Sequence, residues 1–312
     1  MTALLSVILP VFLIIGFGYA AARVGLFNES AVDGVMRYAQ NFAAPCLLFK
    51  SIATLNLSTA YDAGLLLSFY GGAFAGFAAG FLGARLIFHR PLTDSVAIGF
   101  ACLFSNTLLL GIPITERAYG TAALQGNFAI ISLHAPLLYG FGICLMEWAR
   151  SRGQGLSGPA LARQVARAIF SQPLVIGITL GFVVNLSGVA VPEVLAAAVG
   201  MIAQTAIPTA LFGLGGVLLR YRPDGDRGTI ALVCVASLVL HPAITYALAR
   251  YGFAVDTAGL RSAVVTAAMA PGVNAYMFAH LYGVGKRVAA SSVLIATGLS
   301  IGTIWVWLHI LP

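Results

Sequence analysis

Residues 104–120 read FSNTLLLGIPITERAYG, and residues 267–283, which begin 163 positions later, read AAMAPGVNAYMFAHLYG. Both stretches end in Tyr-Gly, and the same shift places Pro10 on Pro173. Prolines and glycines interrupt helices, so their common register predicts an internal repeat whose two copies are interrupted at matched places.

The composition is that of an integral membrane protein. The chain of 312 residues is 60% hydrophobic and only 9% charged. Its apolar stretches reach about 20 residues, the length that a helix needs to cross roughly 30 Å of hydrocarbon. Lipid offers no partner to backbone groups, so these spans must be helical, and the sequence predicts an all-α membrane fold. We predict ten spans, at residues 3–22, 31–54, 64–88, 94–116, 121–148, 168–189, 194–219, 229–250, 258–282 and 288–311.

A polar, Gly- and Ser-rich connection at residues 149–167 divides the spans into two repeats of five, residues 1–148 and 168–312. Because five is odd, the second repeat must enter the bilayer upside down, and the repeat is inverted. If the N-terminus is outside, inner loops hold 12 of the 17 Lys and Arg residues and outer loops hold 3. The sequence therefore predicts a multi-pass protein of the cell inner membrane with both termini outside, and no nucleic-acid partner.

The interruptions in spans 4 and 9 predict a binding site. Pro113 with Gly111 in span 4, and Pro271-Gly272 in span 9, weaken the helix near mid-membrane. Unpaired backbone groups there cost several kcal/mol each unless protein, water or ligand satisfies them, so the breaks should line a cavity. Half-helix N-termini suit a carboxylate, although either break alone is also consistent with an ordinary proline in a membrane helix.

Polar side chains beside the breaks complete the candidate substrate site. Asn106 and Asn274 lie close to the two breaks, and Asn41 and Gln204 are related by the 163-residue shift. The second pair either faces the cavity or makes interhelical or dimer-interface hydrogen bonds. The candidate set is Ser105, Asn106, Thr107, Gly111, Pro113, Pro271, Gly272, Asn274, Asn41 and Gln204.

Titratable groups restrict the chemistry. All ten Asp and Glu residues fall in loops or near span ends, which argues against a sodium/proton antiporter and favours an anionic substrate. Arg37 and Lys50 either reach the membrane interfaces or attract a substrate carboxylate. His134, His241 and His280 are expected to be structural, although His280 follows the span 9 break.

The sequence predicts no enzyme, metal site or cofactor. The four cysteines lie inside predicted spans without the spacing of metal ligands, and neither an HExxH pattern nor paired carboxylates occur. A membrane receptor or enzyme is the remote alternative to a carrier.

A resemblance becomes specific at the two interrupted spans. The runs NTLLLGIPI (residues 106–114) and APGVNAYMFAHLYG (residues 270–283) resemble the span 4 and span 9 signatures of the auxin efflux carrier family. The family's site residues match Asn106, Pro113 and Pro271, and Asn274 is a weaker match. The resemblance implies a ten-helix inverted-repeat fold like that of bile-acid and sodium/proton transporters, with spans 4 and 9 crossing beside the substrate.

The resemblance also implies a mechanism. Spans 1, 2, 6 and 7 would form a scaffold that makes a homodimer, and spans 3, 4, 5, 8, 9 and 10 would form a moving transport domain. The expected function is secondary, efflux-type transport of a small organic anion by alternating access or an elevator motion, with sodium- or proton-coupled carboxylate symport as the alternative. Plant relatives such as the PIN carriers export auxin, bacterial relatives are linked to malonate or malate, and the short connection resembles the compact bacterial type.

Overall fold

The computed structural model describes residues 2–151 and 158–312, and all regular structure in these ranges is helical. The α-helices are α1 Thr2–Arg23, α2 Glu29–Tyr38, α3 Ala44–Ala53, α4 Leu57–Ala60, α5 Ala63–Leu82, α6 Leu92–Leu103, α7 Ile112–Tyr119, α8 Gln125–Ser151, α9 Gly158–Phe170, α10 Pro173–Ser187, α11 Glu193–Arg220, α12 Arg227–Val235, α13 His241–Ala247, α14 Thr257–Ala267, α15 Val273–Tyr282 and α16 Lys286–Ile310. A short 3₁₀ turn, Thr121–Leu124, precedes α8.

The described helices make this a multi-pass membrane protein. By length and composition, six helical stretches can each cross a bilayer: Leu5–Arg23, Ala63–Ile87, Thr121–Arg150, Glu193–Arg220, Arg227–Gly252 and Lys286–Ile310. Helices α9 and α10, which meet at an angle of 82°, pass the same test as a pair and raise the number to seven. Helix α6 is apolar but short, because its span is interrupted.

The helices pack in two groups. In one group, α1 lies along α11, and α10 lies along α3. In the other, α5 packs against α6 and α13, α14 packs against α5 and α8, and α16 packs against α12 and α15. Fewer contacts join the groups, among them α1 with α7 and α16, and α10 with α8. The cavity described below lies between the two groups.

Wide π-helical turns stand in front of three prolines. The turns Ala39–Ala43, Thr107–Gly111 and Ala236–Leu240 each end two residues before a proline, at Pro45, Pro113 and Pro242 respectively. A proline lacks an N–H and its ring crowds the preceding turn. Widening that turn lets the helix continue past the ring, so these prolines do not end their spans.

The described part of the connection between the predicted repeats, at residues 149–167, is helical. Helix α8 extends to Ser151, and α9 occupies Gly158–Phe170, while residues 152–157 lie outside the described ranges. Helix α9 forms because Leu161, Val165 and Ala168 recur at helical spacing and pack on the apolar core that includes α8 and α15.

Candidate functional site

The two interrupted spans meet at their breaks. The chain leaves α6 at Leu103, and Ser105 faces Pro271 in an isolated antiparallel bridge. The N–H of Asn106 donates to the carbonyl oxygen of Ala270 at 2.8 Å. The N–H of Gly272 donates to the carbonyl oxygen of Phe104 at 2.9 Å. Each break therefore satisfies part of the other's backbone, as an interruption in lipid requires.

Local sequence explains where each break lies. In the second span the break lies at Pro271-Gly272, as predicted, and Gly272 is the N-cap of α15. In the first span the break lies around Ser105 rather than at Pro113, which corrects the predicted position. Pro113 instead lies inside a continuous helical segment, because the π-helical turn Thr107–Gly111 makes room for its ring. Asn106 caps the new helical turn, because its side-chain oxygen accepts from the N–H of Leu109 at 3.3 Å.

A cavity of about 890 Å³ adjoins the crossing. One wall is formed by the breaks and by α15, and the opposite wall by residues of α3, α10 and α11 and of the turn before α3. The lining residues used below are Gln40, Asn41, Ser105, Asn106, Thr107, Leu108, His134, Tyr139, Gln164, Arg167, Gly272, Val273, Asn274, Met277, His280 and Tyr282. A cavity of this size accommodates a small organic molecule.

The cavity presents hydrogen-bond donors at the crossing. The backbone N–H groups of Leu108, Val273 and Asn274 have no acceptor in the described ranges. These groups lie in the first turns of the two half-helices, where the peptide dipoles give a partial positive charge. The hydroxyl of Ser105 is buried and has no hydrogen-bond partner among the described residues. The crossing can therefore satisfy an anion through neutral donors.

The charges that line the cavity are of one sign. Of residues 2–151 and 158–312, no Asp or Glu lines it, and Arg167 is the one Lys or Arg that does. The wall is otherwise mostly apolar, with aromatic residues such as Tyr139 and Phe104. An anion would meet no fixed negative charge in this space, whereas a cation would find no countercharge.

The structure brings most of the predicted site residues together. Ser105, Asn106, Thr107, Gly272, Asn274 and Asn41 line the cavity. Gly111, Pro113 and Pro271 are buried next to the lining residues without lining the cavity themselves. Gln204 is exposed and is not a lining residue, so the repeat-related amides Asn41 and Gln204 do not share this space.

The basic residues and histidines fall in different environments. Arg37 and Lys50 are exposed and do not line the cavity. His280 lines it, as does His134, whose ring packs edge-on against Phe104 with centroids 4.5 Å apart. His241 is buried with its Nε2 atom 3.3 Å from the carbonyl oxygen of Phe69.

Sequence reasoning missed Arg167 as a lining residue, because it placed this residue in a loop. The helical spacing of Leu161, Val165 and Ala168 was the available signal. It also missed Gln40 and Tyr139, whose positions depend on tertiary packing and leave no local signature.

Two interrupted helices that cross at a cavity between helix groups are the construction of a membrane transport protein. The chain belongs to the family described as Membrane transport protein, whose sequence model matches residues 3–308. The match confirms the resemblance to the auxin efflux carrier family.

Relatives with similar names cover nearly the whole chain. A protein of Rhizobium meliloti named "Putative malonate transporter" is 26% identical over 305 residues, which are 97% of this chain and 94% of the relative. An "Uncharacterized transporter" of Methanothermobacter thermautotrophicus is 25% identical over 96% of both chains. The "Uncharacterized transporter YfdV" of Escherichia coli K12 is 22% identical over 99% of this chain and 98% of its own. The family and these relatives are named for transport rather than for catalysis.

Proposed function

We propose that this protein is a secondary carrier of a small organic anion, with a carboxylate as the group that binds at the crossing. The observation that carries the proposal is the set of backbone N–H groups at Leu108, Val273 and Asn274. Within residues 2–151 and 158–312 these groups have no acceptor, and no acidic residue lines the cavity beside them. A carboxylate that binds there loses hydrogen bonds to water and gains hydrogen bonds to N–H groups that are already in place. The side chains of Ser105 and Asn106 add further donors.

The carrier has ten spans in two inverted repeats of five. In support, the helices of residues 2–151 recur in the same order in residues 173–310, and both copies of the interrupted span meet at an antiparallel bridge. Helices α1, α2, α3, α10 and α11 act as the scaffold and the dimer interface, and the other group moves relative to them. Both termini lie outside, so α9 lies on the cytoplasmic side.

The motion is an elevator or rocking step that presents the crossing alternately to each side of the membrane. Because donors come from both half-helices, the anion travels with the helix group that contains them. Export is driven by the concentration gradient of the anion and by the membrane potential. The relative named for malonate makes small dicarboxylates the first compounds to test.

Sodium-coupled symport is a second candidate, and one buried cluster favours it. The Nδ2 atom of Asn127 donates to the hydroxyl oxygens of Thr115 at 3.0 Å and of Thr266 at 2.8 Å. The Oδ1 atom of Asn127 is buried without a partner in the described ranges. These three neutral oxygens, one each from α7, α8 and α14, are ligands of the type that hard cations prefer. Sodium-coupled symport would be supported if sodium strengthens carboxylate binding and potassium does not.

The proposed function is tested by thermal unfolding of the purified protein with a panel of carboxylates, with and without sodium. A ligand that binds only the folded protein raises the midpoint temperature. Asn106→Ala is expected to abolish the anion-dependent rise, while the unliganded midpoint falls modestly because the cap to Leu109 is lost. Gln204→Ala removes an amide that does not line the cavity, and serves as the matched control. An unchanged response in Asn106→Ala, or a loss in both variants, would contradict the proposed site.

A further inference from the structure

Helix α9 carries a basic residue that no expectation from the sequence assigned to the site. We propose that Arg167 is the residue that captures the anion at the cytoplasmic mouth of the cavity and favours dianions over monoanions. This inference rests on the proposed function, because it concerns the entry of the same substrate. It adds a specificity-determining residue outside the crossing itself.

The packing of α9 fixes Arg167 at the mouth. The Nε2 atom of Gln164, which also lines the cavity, donates to the Oε1 atom of Glu147 on α8 at 2.9 Å. Near the same end of α8, the guanidinium of Arg150 lies 5.2 Å from the ring centroid of Tyr282, the last residue of α15. Helix α9 therefore lies at the Tyr282 end of the cavity.

The crossing and the mouth are separated by most of α15. Lining residues run from Gly272 at the break to Tyr282, ten residues later. At 1.5 Å per residue, that length is about 15 Å. The crossing thus lies well inside the Tyr282 end of the cavity, and the guanidinium acts on an anion that is entering or leaving.

The charge of Arg167 is available for this role. Its side chain is exposed and makes no hydrogen bond or ion pair in the described parts of the chain. Of those parts, no acidic residue lines the cavity to neutralise it. Mostly apolar walls focus the field of one charge along the cavity, which raises the local concentration of anions. The attraction scales with substrate charge, so a dianion gains more than a monoanion.

A lipid phosphate is the competing partner for an arginine on this helix, and Arg163 separates the two explanations. Arg163 lies one helical turn before Arg167, is exposed, and does not line the cavity. If α9 merely binds anionic lipid, Arg163→Gln and Arg167→Gln should have the same effect. If Arg167 captures substrate, only its own replacement should change transport kinetics.

The test measures uptake of malonate and of monomethyl malonate into sealed vesicles that expose the α9 side. In Arg167→Gln, KM for malonate is expected to rise roughly threefold to tenfold at an ionic strength of about 0.01 M, with the maximal rate unchanged. The rise should be smaller for the monoanion and should shrink at about 0.15 M, where screening is stronger. Arg167→Lys should restore most of the wild-type KM, and Arg163→Gln should match the wild type.

The outcomes distinguish this inference from the proposed function. Equal KM values in Arg167→Gln and wild type, or equal changes in both glutamine variants, would overturn the role of Arg167 while leaving the carrier intact. If wild type neither transports malonate nor gains thermal stability from any carboxylate, the anion site fails and this inference fails with it.

Discussion

Asp226 stabilises the start of a span from outside the apolar segment. It is the N-cap of α12, and its Oδ1 atom accepts from the N–H of Gly228 at 3.0 Å. Its Oδ2 atom accepts from the hydroxyl of Thr229 and forms an ion pair with Arg90 at 3.0 Å. The hydrogen bond from Thr229, with smaller contributions from Arg90 and Gly228, lowers the pKa of Asp226 from its ordinary value. The side chain is thus held in its ionised form.

Asp226 should make stability depend on pH in one direction. A lowered folded-state pKa stabilises the protein at pH values above the ordinary Asp pKa of about 3.9, and this stabilisation is lost as the pH falls through the folded-state value. Asp226→Asn is therefore expected to lower the unfolding midpoint at neutral pH, with a difference from wild type that shrinks below about pH 4. Asp224→Asn, whose ion pair with Arg287 is long at 3.7 Å, is the control and should change little. A difference independent of pH would contradict the role of the ionised form.

Arg117 compensates for a proline in another helix. Pro10 lacks an N–H, so the carbonyl of Ser6 has no donor four residues later in α1. The guanidinium of Arg117 on α7 donates to that carbonyl at 2.7 Å and to the carbonyl of Val7 at 3.1 Å. Arg117→Ala is expected to lower the free energy of unfolding by about 1 kcal/mol. Arg250→Ala should be neutral in the same denaturation experiment, because the exposed side chain of Arg250 makes no hydrogen bond in the described ranges. Equal losses would contradict a specific role.

Helices α1 and α11 approach at the level of their backbones. A Cβ atom at Gly18 would lie 1.9 Å from the carbonyl oxygen of Phe212, and one at Gly215 would lie 2.0 Å from the carbonyl oxygen of Ile15. Backbone atoms of packed helices cannot yield as a flexible side chain can. The two glycines therefore set the distance between these helices.

Gly215→Ala should separate α1 from α11. Overpacking of this kind costs about 1–3 kcal/mol, so the unfolding midpoint in detergent is expected to fall clearly. Gly16→Ala on α1 is the matched control, because no atom of the described residues lies within 4 Å of its would-be Cβ atom. It should leave the midpoint unchanged or slightly higher. A neutral Gly215→Ala would contradict the backbone contact between α1 and α11.

Local sequence predicted the helical elements better than it predicted their breaks. Pro271-Gly272 marked the second break, because a proline and a glycine at one place oppose a helix. The first break contains neither residue type, and it is stabilised by hydrogen bonds to the other span that no local pattern reveals. Helix α9 was hidden for another reason. The Gly- and Ser-rich start of the connection outweighed the apolar spacing of residues 161–168.

The whole molecule explains why an internal repeat predicted the crossing but not the complete site. The shift of 163 residues places Asn106 on Met269 and Gly111 on Asn274, so the polar groups are not repeat mates. Asn106 and Asn274 nevertheless line one cavity, whereas the repeat-related Gln204 is exposed away from it. Repetition predicts where helices bend, and tertiary packing decides which side chains reach the space between them.

Labelling of two introduced cysteines from each side of the membrane tests the orientation of the protein. Met277 lies on the cavity wall of α15 and is 49% exposed, and Val189, between α10 and α11, is 65% exposed. A cysteine at either position can be labelled by an impermeant thiol reagent after Cys46 and Cys144 are changed to Ser, because Cys102 and Cys234 are buried. If basic loops face the cytoplasm, Met277→Cys should react faster in inside-out vesicles, and Val189→Cys faster in right-side-out vesicles. A carboxylate that binds in the cavity should slow the labelling of Met277→Cys and leave the labelling of Val189→Cys unchanged. If both cysteines react faster from the same side, the predicted orientation is wrong. If a bound carboxylate leaves the labelling rate of Met277→Cys unchanged, the cavity is not part of the transport route.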